Sequence, residues 1–204
     1  HYAVLTADIL GFPPAFKPAL VAQLANEGWT AKQILLLPSH SHTSIDMNAL
    51  NPVNVFGIKQ IGMYDKQLTE WTVQQCALVI KNAGRAMVPV TVGTSAKALV
   101  GWNRNRRAAG GPIDDRLTVT RIDTTDARPL AVLVNFTAHP TFLGAEHMLF
   151  SGGWPGYLQR GLEGLIGHDV NVMFYNGAEG DQSPIARPDA PTDRYQVAEQ
   201  YGVS

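Results

Sequence analysis

The chain has 204 residues, 45% of them hydrophobic, enough to bury a sizeable core as a single domain over residues 1–204. Its 16 basic and 17 acidic residues nearly cancel, for a net charge of −1 and a pI near 6.6; this excludes any general electrostatic pull toward nucleic acid or anionic membrane. No stretch approaches the roughly 20 apolar residues of a transmembrane segment, and the one cysteine, Cys76, excludes an internal disulfide and reads as a small buried hydrophobe.

In chain order, strand-like and helical patterns alternate. Tyr2 to Leu10 is a short β run broken by Gly11-Phe12-Pro13-Pro14. His1 is not a natural start, and this strand so close to it leads us to expect a chain that begins inside a domain. Phe16, Leu20 and Leu24 recur at helical spacing, with Gly28 as a stop. Ile34 to Leu37 is a strand running into Ser39-His40-Ser41-His42-Thr43. Residues 64 to 83 form the clearest helix, with Leu68, Trp71, Cys76, Val79 and Ala83 assigned to one face. Val88 to Gly93 alternates as a strand, and a loop rich in Gly, Asn and Arg follows from Gly101 to Gly111. Leu117 to Ile122 and Leu130 to Phe136 make a hairpin around residues 124–128. Pro155 to Ile166 is a helix, Asn171 to Tyr175 a buried strand, and Pro184 to Asp193 a surface loop. The pattern predicts an α/β fold, a mixed β-sheet core with flanking helices.

The chemistry concentrates at strand ends, where ligands collect in open α/β sheets. His40 and His42 are two residues apart, which in extended backbone aims both side chains the same way. Thr137-Ala138-His139-Pro140-Thr141 ends a second strand about a hundred residues later. Neutral imidazole is a common metal ligand, so three such histidines can share one metal, although any one alone reads as an ordinary, partly buried side chain. Asp8, at the end of the first strand, reads either as a loop aspartate capping a turn or as a carboxylate orienting a metal-bound histidine. Arg104, Arg106 and Arg107 read by residue type as a solvated basic loop. Ser183 lies in a glycine-punctuated turn after an apolar strand; such turns expose small side chains at a sheet's edge, and Ser before Pro is also ordinary turn chemistry.

Taken together, these elements resemble the N-terminal catalytic domain of the neutral/alkaline (non-lysosomal) ceramidase family. Ser39 to Ser44 is similar to that family's Thr-His-Thr-His-Ser-Gly-Pro element. Asn105-Arg106-Arg107 ahead of Pro112-Ile113-Asp114, then Asn135 to Thr141, Ser151 to Tyr157 and Gly180-Asp181-Gln182-Ser183-Pro184 follow in the family's order over nearly the whole chain. The resemblance implies a zinc-dependent amide hydrolase that cleaves the N-acyl amide of a ceramide-like lipid in sphingolipid metabolism, secreted or periplasmic. It implies His40 and His139 as zinc ligands, and His42, Arg106 and Ser183 as catalytic residues, with Asp181 binding substrate. The family's remaining ligands, a glutamate and a tyrosine, come from well downstream of the Gly-Asp-x-Ser-Pro element, so a partial domain, truncated at both ends, is expected. Two departures stand out: Ser44-Ile45-Asp46 replaces Ser-Gly-Pro, implying a reshaped loop, and Gly153 stands where the family often carries an acidic residue. A related metal-dependent hydrolase of a non-ceramide amide, or a non-catalytic binding module on the same scaffold, are the alternatives.

Overall fold

Strand runs alternating with helices give the architecture expected of them: α/β, with mixed sheets and flanking helices. A computed structural model describes residues 1–45, 47, 65–144, 146–167 and 169–204. Asp46, the last residue of the Ser44-Ile45-Asp46 departure, lies outside the described residues. The chain divides into two compact units, one of His1–Leu5, Leu10–Leu37 and Ile45–Met87, the other of Thr6–Ile9, Pro38–Ser44 and Val88–Ser204. Strands β1 (Ala3–Ala7) and β2 (Ile34–Pro38) pair with each other.

In the first unit, helix α1 (Phe16–Leu24) buries Phe16, Leu20 and Leu24, as their spacing predicts. It ends in a short 3-10 turn, and Gly28 closes that turn with a φ of 75°, a left-handed conformation that glycine adopts without steric cost. Helix α2 (Lys66–Arg85) starts at Asp65, whose side chain accepts from the Leu68 N–H. Its buried stripe is Thr72, Val73, Cys76, Ala77 and Ile80, which shares only Cys76 with the face assigned from sequence: Leu68, Trp71, Val79 and Ala83 are exposed. The reason is geometric. Val73, Cys76, Ala77 and Ile80 follow the i, i+3, i+4, i+7 rule, whereas Trp71 to Cys76 is a five-residue step that drifts off the face.

The second unit is built on a four-stranded sheet in the order β3-β5-β6-β7. The edge strand β3 (Val90–Ala98) runs antiparallel to β5 (Arg116–Thr124), which forms the expected hairpin with β6 (Pro129–Phe136). The chain then crosses over through α3 (Gly153–Ile166) to β7 (Asn171–Asn176), which lies parallel to β6. A crossover helix is what a parallel pair requires. The core beneath this sheet gathers Val132, Val134, Phe136, Val172 and Phe174 around Trp154, whose ring lies edge-on to Phe174 at 4.8 Å and to Tyr201 at 5.2 Å. An aromatic of this size in such a core is worth about 3–5 kcal/mol against alanine.

Three elements of this unit lie beyond the sequence reading. The loop from Gly101 to Gly111 contains a short strand, β4 (Asn103–Asn105), antiparallel to β8 (Gln182–Pro184), so Ser183 sits in a strand opposite Arg104. After the proline-rich loop, α4 (Arg194–Val203) is capped by the Asp193 side chain and buries Val197, Ala198 and Tyr201.

Candidate metal centre

Strands β6 and β7 end level with each other, Phe136 opposite Asn176. The residues that follow, 137–139 and 177–179, therefore leave the sheet at the same end. The segment after β2, whose Ser39 N–H donates to the Ala7 carbonyl of β1, is held at that end by the last residue of β7, Asn176. Asn176 ties the histidine segments together. Its side-chain nitrogen donates to the carbonyls of Ser39 and Ala138 at 3.1 Å each, and its oxygen accepts from the Ala138 N–H. Ser39 and Ala138 immediately precede His40 and His139, so one amide sets the spacing of both. Gly177 is required beside it: a Cβ there would sit 2.1 Å from the Thr137 hydroxyl.

The three histidines meet. His40 and His139 have ring centroids 4.6 Å apart, and His42 stands 5.0 Å from each. One nitrogen from each ring falls within 4.8 Å of the others, and this is the one such cluster of potential ligands among the described residues. Extended backbone is not what brings His40 and His42 together. His40 has a φ of 65°, a left-handed conformation costing on the order of 1 kcal/mol, and a turn follows it. The Ser41 and Thr43 hydroxyls hold that turn by donating to the Ser151 carbonyl at 2.7 and 3.0 Å.

The protonation pattern is set by partners. His139 Nδ1 lies 3.0 Å from the Glu179 carbonyl, which can only accept, so Nδ1 carries the proton and Nε2 presents a lone pair. That Nε2 lies 3.1 Å from His42 Nε2, inside the cluster. Although His42 as a residue is exposed, its nitrogen faces another ring. Lost hydration first, then repulsion from His40, His139 and Arg106, holds its pKa down at about 4. Burial lowers that of His139 as well, with Arg106 adding to the effect. Neutral imidazoles with a lone pair aimed inward are the donor set a zinc ion takes, so these residues fit one.

The low His42 pKa gives a stability prediction. In the unfolded chain the ring protonates near 6.5, and in the folded chain only near about 4. Between these values protons bind the unfolded state preferentially, so stability present above pH 6.5 is lost as pH falls toward about 4. His139 acts in the same direction. The metal-free protein should thus lose more stability than its His42→Ala variant between pH 7.5 and 4.5, read from denaturant midpoints. Equal losses would remove His42 as the cause.

The other residues singled out from sequence lie around this cluster. Arg106 is exposed, and its Nε and Nη2 donate to the Gly180 carbonyl at 3.1 and 2.7 Å. Asp181 is engaged within the fold, one carboxylate oxygen accepting from Asn105 at 2.8 Å and its carbonyl accepting from the Arg106 N–H. Ser183 is half-buried, next to Gln182, whose carbonyl accepts from the His139 N–H. Gln182 is itself buried, and its side-chain oxygen accepts from Asn103 and from the Asp114 N–H, tying the arginine loop to the serine strand. Arg104 and Arg107 are exposed. Asp8 is half-buried and accepts from Gln159 on α3 through both carboxylate oxygens, and its partial burial raises its pKa. Sequence reasoning missed Asn103, Asn176, Glu179 and Gln182. Asn103 and Asn176 carry no motif, and Gln182 stands at the variable position of Gly-Asp-x-Ser-Pro; Glu179, two residues before Asp181, had only its place beside the Gly-Asp pair as a signal.

No family model matches the chain. Neutral ceramidase B of Dictyostelium discoideum is 26% identical over 186 residues, covering 81% of this chain and 25% of that protein. The crystal structure of neutral ceramidase from Pseudomonas aeruginosa superposes with a TM-score of 0.85 at 17% identity, over 98% of this chain and 34% of that one. A ceramidase structure complexed with C2 gives 0.84 at 16% identity, over 99% and 34%. The chain is a neutral-ceramidase-like domain with the fold of those structures, and it spans about a quarter of the curated relative and about a third of the solved chains.

Proposed function

We propose that this chain supplies the histidine side of the metal centre in a zinc-dependent amide hydrolase acting on an N-acyl lipid of the ceramide type, outside the cytoplasm, in sphingolipid breakdown. The observation that carries this reading is the meeting of His40, His42 and His139 at one end of the sheet, with the His139 tautomer fixed by the Glu179 carbonyl. His40 and His139 would hold the zinc, which when bound lowers the pKa of water toward about 7 and polarises an amide carbonyl.

The chain's own groups do the rest. Arg106 spends Nε and one Nη on Gly180, which fixes the guanidinium plane and leaves its remaining N–H donors for a developing oxyanion. His42, neutral at neutral pH and 3.1 Å from His139, would stabilise the developing oxyanion beside Arg106 or relay a proton to the leaving amine. Ser183 and Asp181 belong to the strand and loop that carry this arginine contact, and act on the substrate from there.

The test is a substrate profile of the full-length protein. N-acyl sphingosines and short N-acyl amides are compared by release of fatty acid and free amine. The lipid amide should be cleaved with a kcat/KM at least about tenfold higher, since binding energy from remote apolar chains is expressed in the transition state. A preference for the short amides would favour the non-ceramide hydrolase instead, a reading that the departure at Ser44-Ile45-Asp46 motivates.

A further inference from the structure

Glu179 occupies an unusual place beside the histidines. Its main chain is held on both sides, the N–H donating to the Gly177 carbonyl at 2.9 Å and the carbonyl accepting from the Gln182 N–H at 2.8 Å as well as from His139 Nδ1. With the backbone so fixed, the side chain projects toward His40, and Oε1 lies 3.8 Å from His40 Nε2. Only 14% of the Glu179 side chain is exposed, against 58% for Glu70 in the Lys66–Glu70 pair on the surface of α2. A surface pair such as the latter contributes little. A largely buried carboxylate is costly unless it has a partner, and here the partner is an imidazole of the metal cluster.

We propose that Glu179 is a positioning residue of the metal centre. Its carbonyl keeps the proton of His139 on Nδ1, and its carboxylate, 3.8 Å from His40 Nε2 and so acting by charge rather than through a hydrogen bond, favours the proton on that nitrogen, which would leave Nδ1 of His40 for the metal. One residue thereby sets the tautomer of both ligands. A carboxylate behind a metal-bound imidazole fixes the ring and raises its basicity, and losing such a partner costs about 10–100-fold in metal affinity. The proposal rests on the metal-hydrolase reading above and extends it to a residue outside the motifs.

The experiment is zinc affinity of the full-length protein, by competition with a chromogenic chelator, for wild type, Glu179→Gln and Glu179→Asp, with the melting temperature of each metal-free form. Glu179→Gln keeps the shape and should weaken zinc binding by about 10–100-fold with the metal-free melting temperature nearly unchanged. Glu179→Asp, which keeps the charge, should recover part of the loss. Zinc binding by Glu179→Gln within about threefold of wild type would overturn the proposal. Should that variant not fold, nitrogen-15 NMR of the wild-type histidines decides the matter: a His40 ring protonated at Nδ1 overturns it, and one protonated at Nε2 supports it. The two readings fail separately. Zinc binding that weakens in Glu179→Gln, in a protein without amide hydrolysis, would remove the activity and keep this role, while full amidase activity with Glu179→Gln binding zinc like wild type would remove only the role. A wild-type protein that takes up no zinc would end both.

Discussion

In the full-length protein, His139→Ala should lower amide hydrolysis by about 10³-fold or more and lose the metal with it. A bound zinc supplies several kcal/mol of transition-state stabilisation, and each 1.4 kcal/mol is about a factor of ten in rate. His139 has the strongest claim to be a ligand. It is 6% exposed, its Nδ1 is committed to the Glu179 carbonyl, and its Nε2 has nowhere to point except into the cluster. Alanine removes that lone pair, and water does not hold the position equally well. The main-chain bond from the His139 N–H to Gln182 survives the change, so the variant should fold with a modest loss of stability, and activity is compared per folded molecule. Chelation of the wild type should abolish hydrolysis, and zinc should restore it. Metal analysis gives the counter-test: stoichiometric zinc retained by a His40→Ala/His139→Ala double variant would place the metal elsewhere.

Much of the arrangement behind that expectation is legible in the sequence, and the rest is hidden for physical reasons. The strands and the crossover helix follow from long apolar runs, and Phe16, Leu20 and Leu24 announce α1 by spacing alone. His40 and His139 are marked by standing just after strands, because the sheet's edge is where the chain must turn. How His40 and His42 converge is not marked. A period-two argument puts them on one side of extended backbone, whereas the chain takes a left-handed residue at His40 and a turn, stabilised by Ser151 more than a hundred residues away. Nothing local to the first site predicts that. Asn176 and Glu179 are hidden in the same way. Asn and Glu in a glycine-rich turn are ordinary by composition, and their roles appear only when Ser39 and His40 are brought beside them. The misplaced face of α2 has a simpler origin, in that large apolar residues such as Trp71 drew the stripe away from the smaller Val73 and Ala77 that pack. Short strands are the weakest signal of all, and β4 and β8, of three residues each, sit in segments that composition reads as loop and turn.

At Ser183, carried on the short strand β8, chemistry and folding can be separated. If Ser183 takes part in catalysis, Ser183→Ala should lower kcat by at least about 10²-fold, the scale of removing an oxyanion donor. Stability should change little. Ser183 is half-buried in β8, and its pairing with Arg104 is made by the main chain, which alanine leaves intact; substitutions of this kind stay near about 0.5 kcal/mol. Its neighbours fix where its hydroxyl acts. Gln182 before it bonds the His139 main chain, and Asp181 before that bonds Arg106 and Asn105, so the serine is carried on the strand that joins the histidine cluster to the arginine loop. If it is the nucleophile, a covalent acyl intermediate should be trappable at that residue with fast-acylating substrates. If it only holds substrate beside the histidines, kcat falls and no acyl species accumulates. A hydroxyl serving only the fold gives the reverse pattern, with activity per folded molecule retained and stability reduced. A kcat within about threefold of wild type would take Ser183 out of the site and leave the chemistry to His40, His42, Arg106 and His139, a purely metal-centred hydrolysis in which Ser183 serves only the β8 pairing.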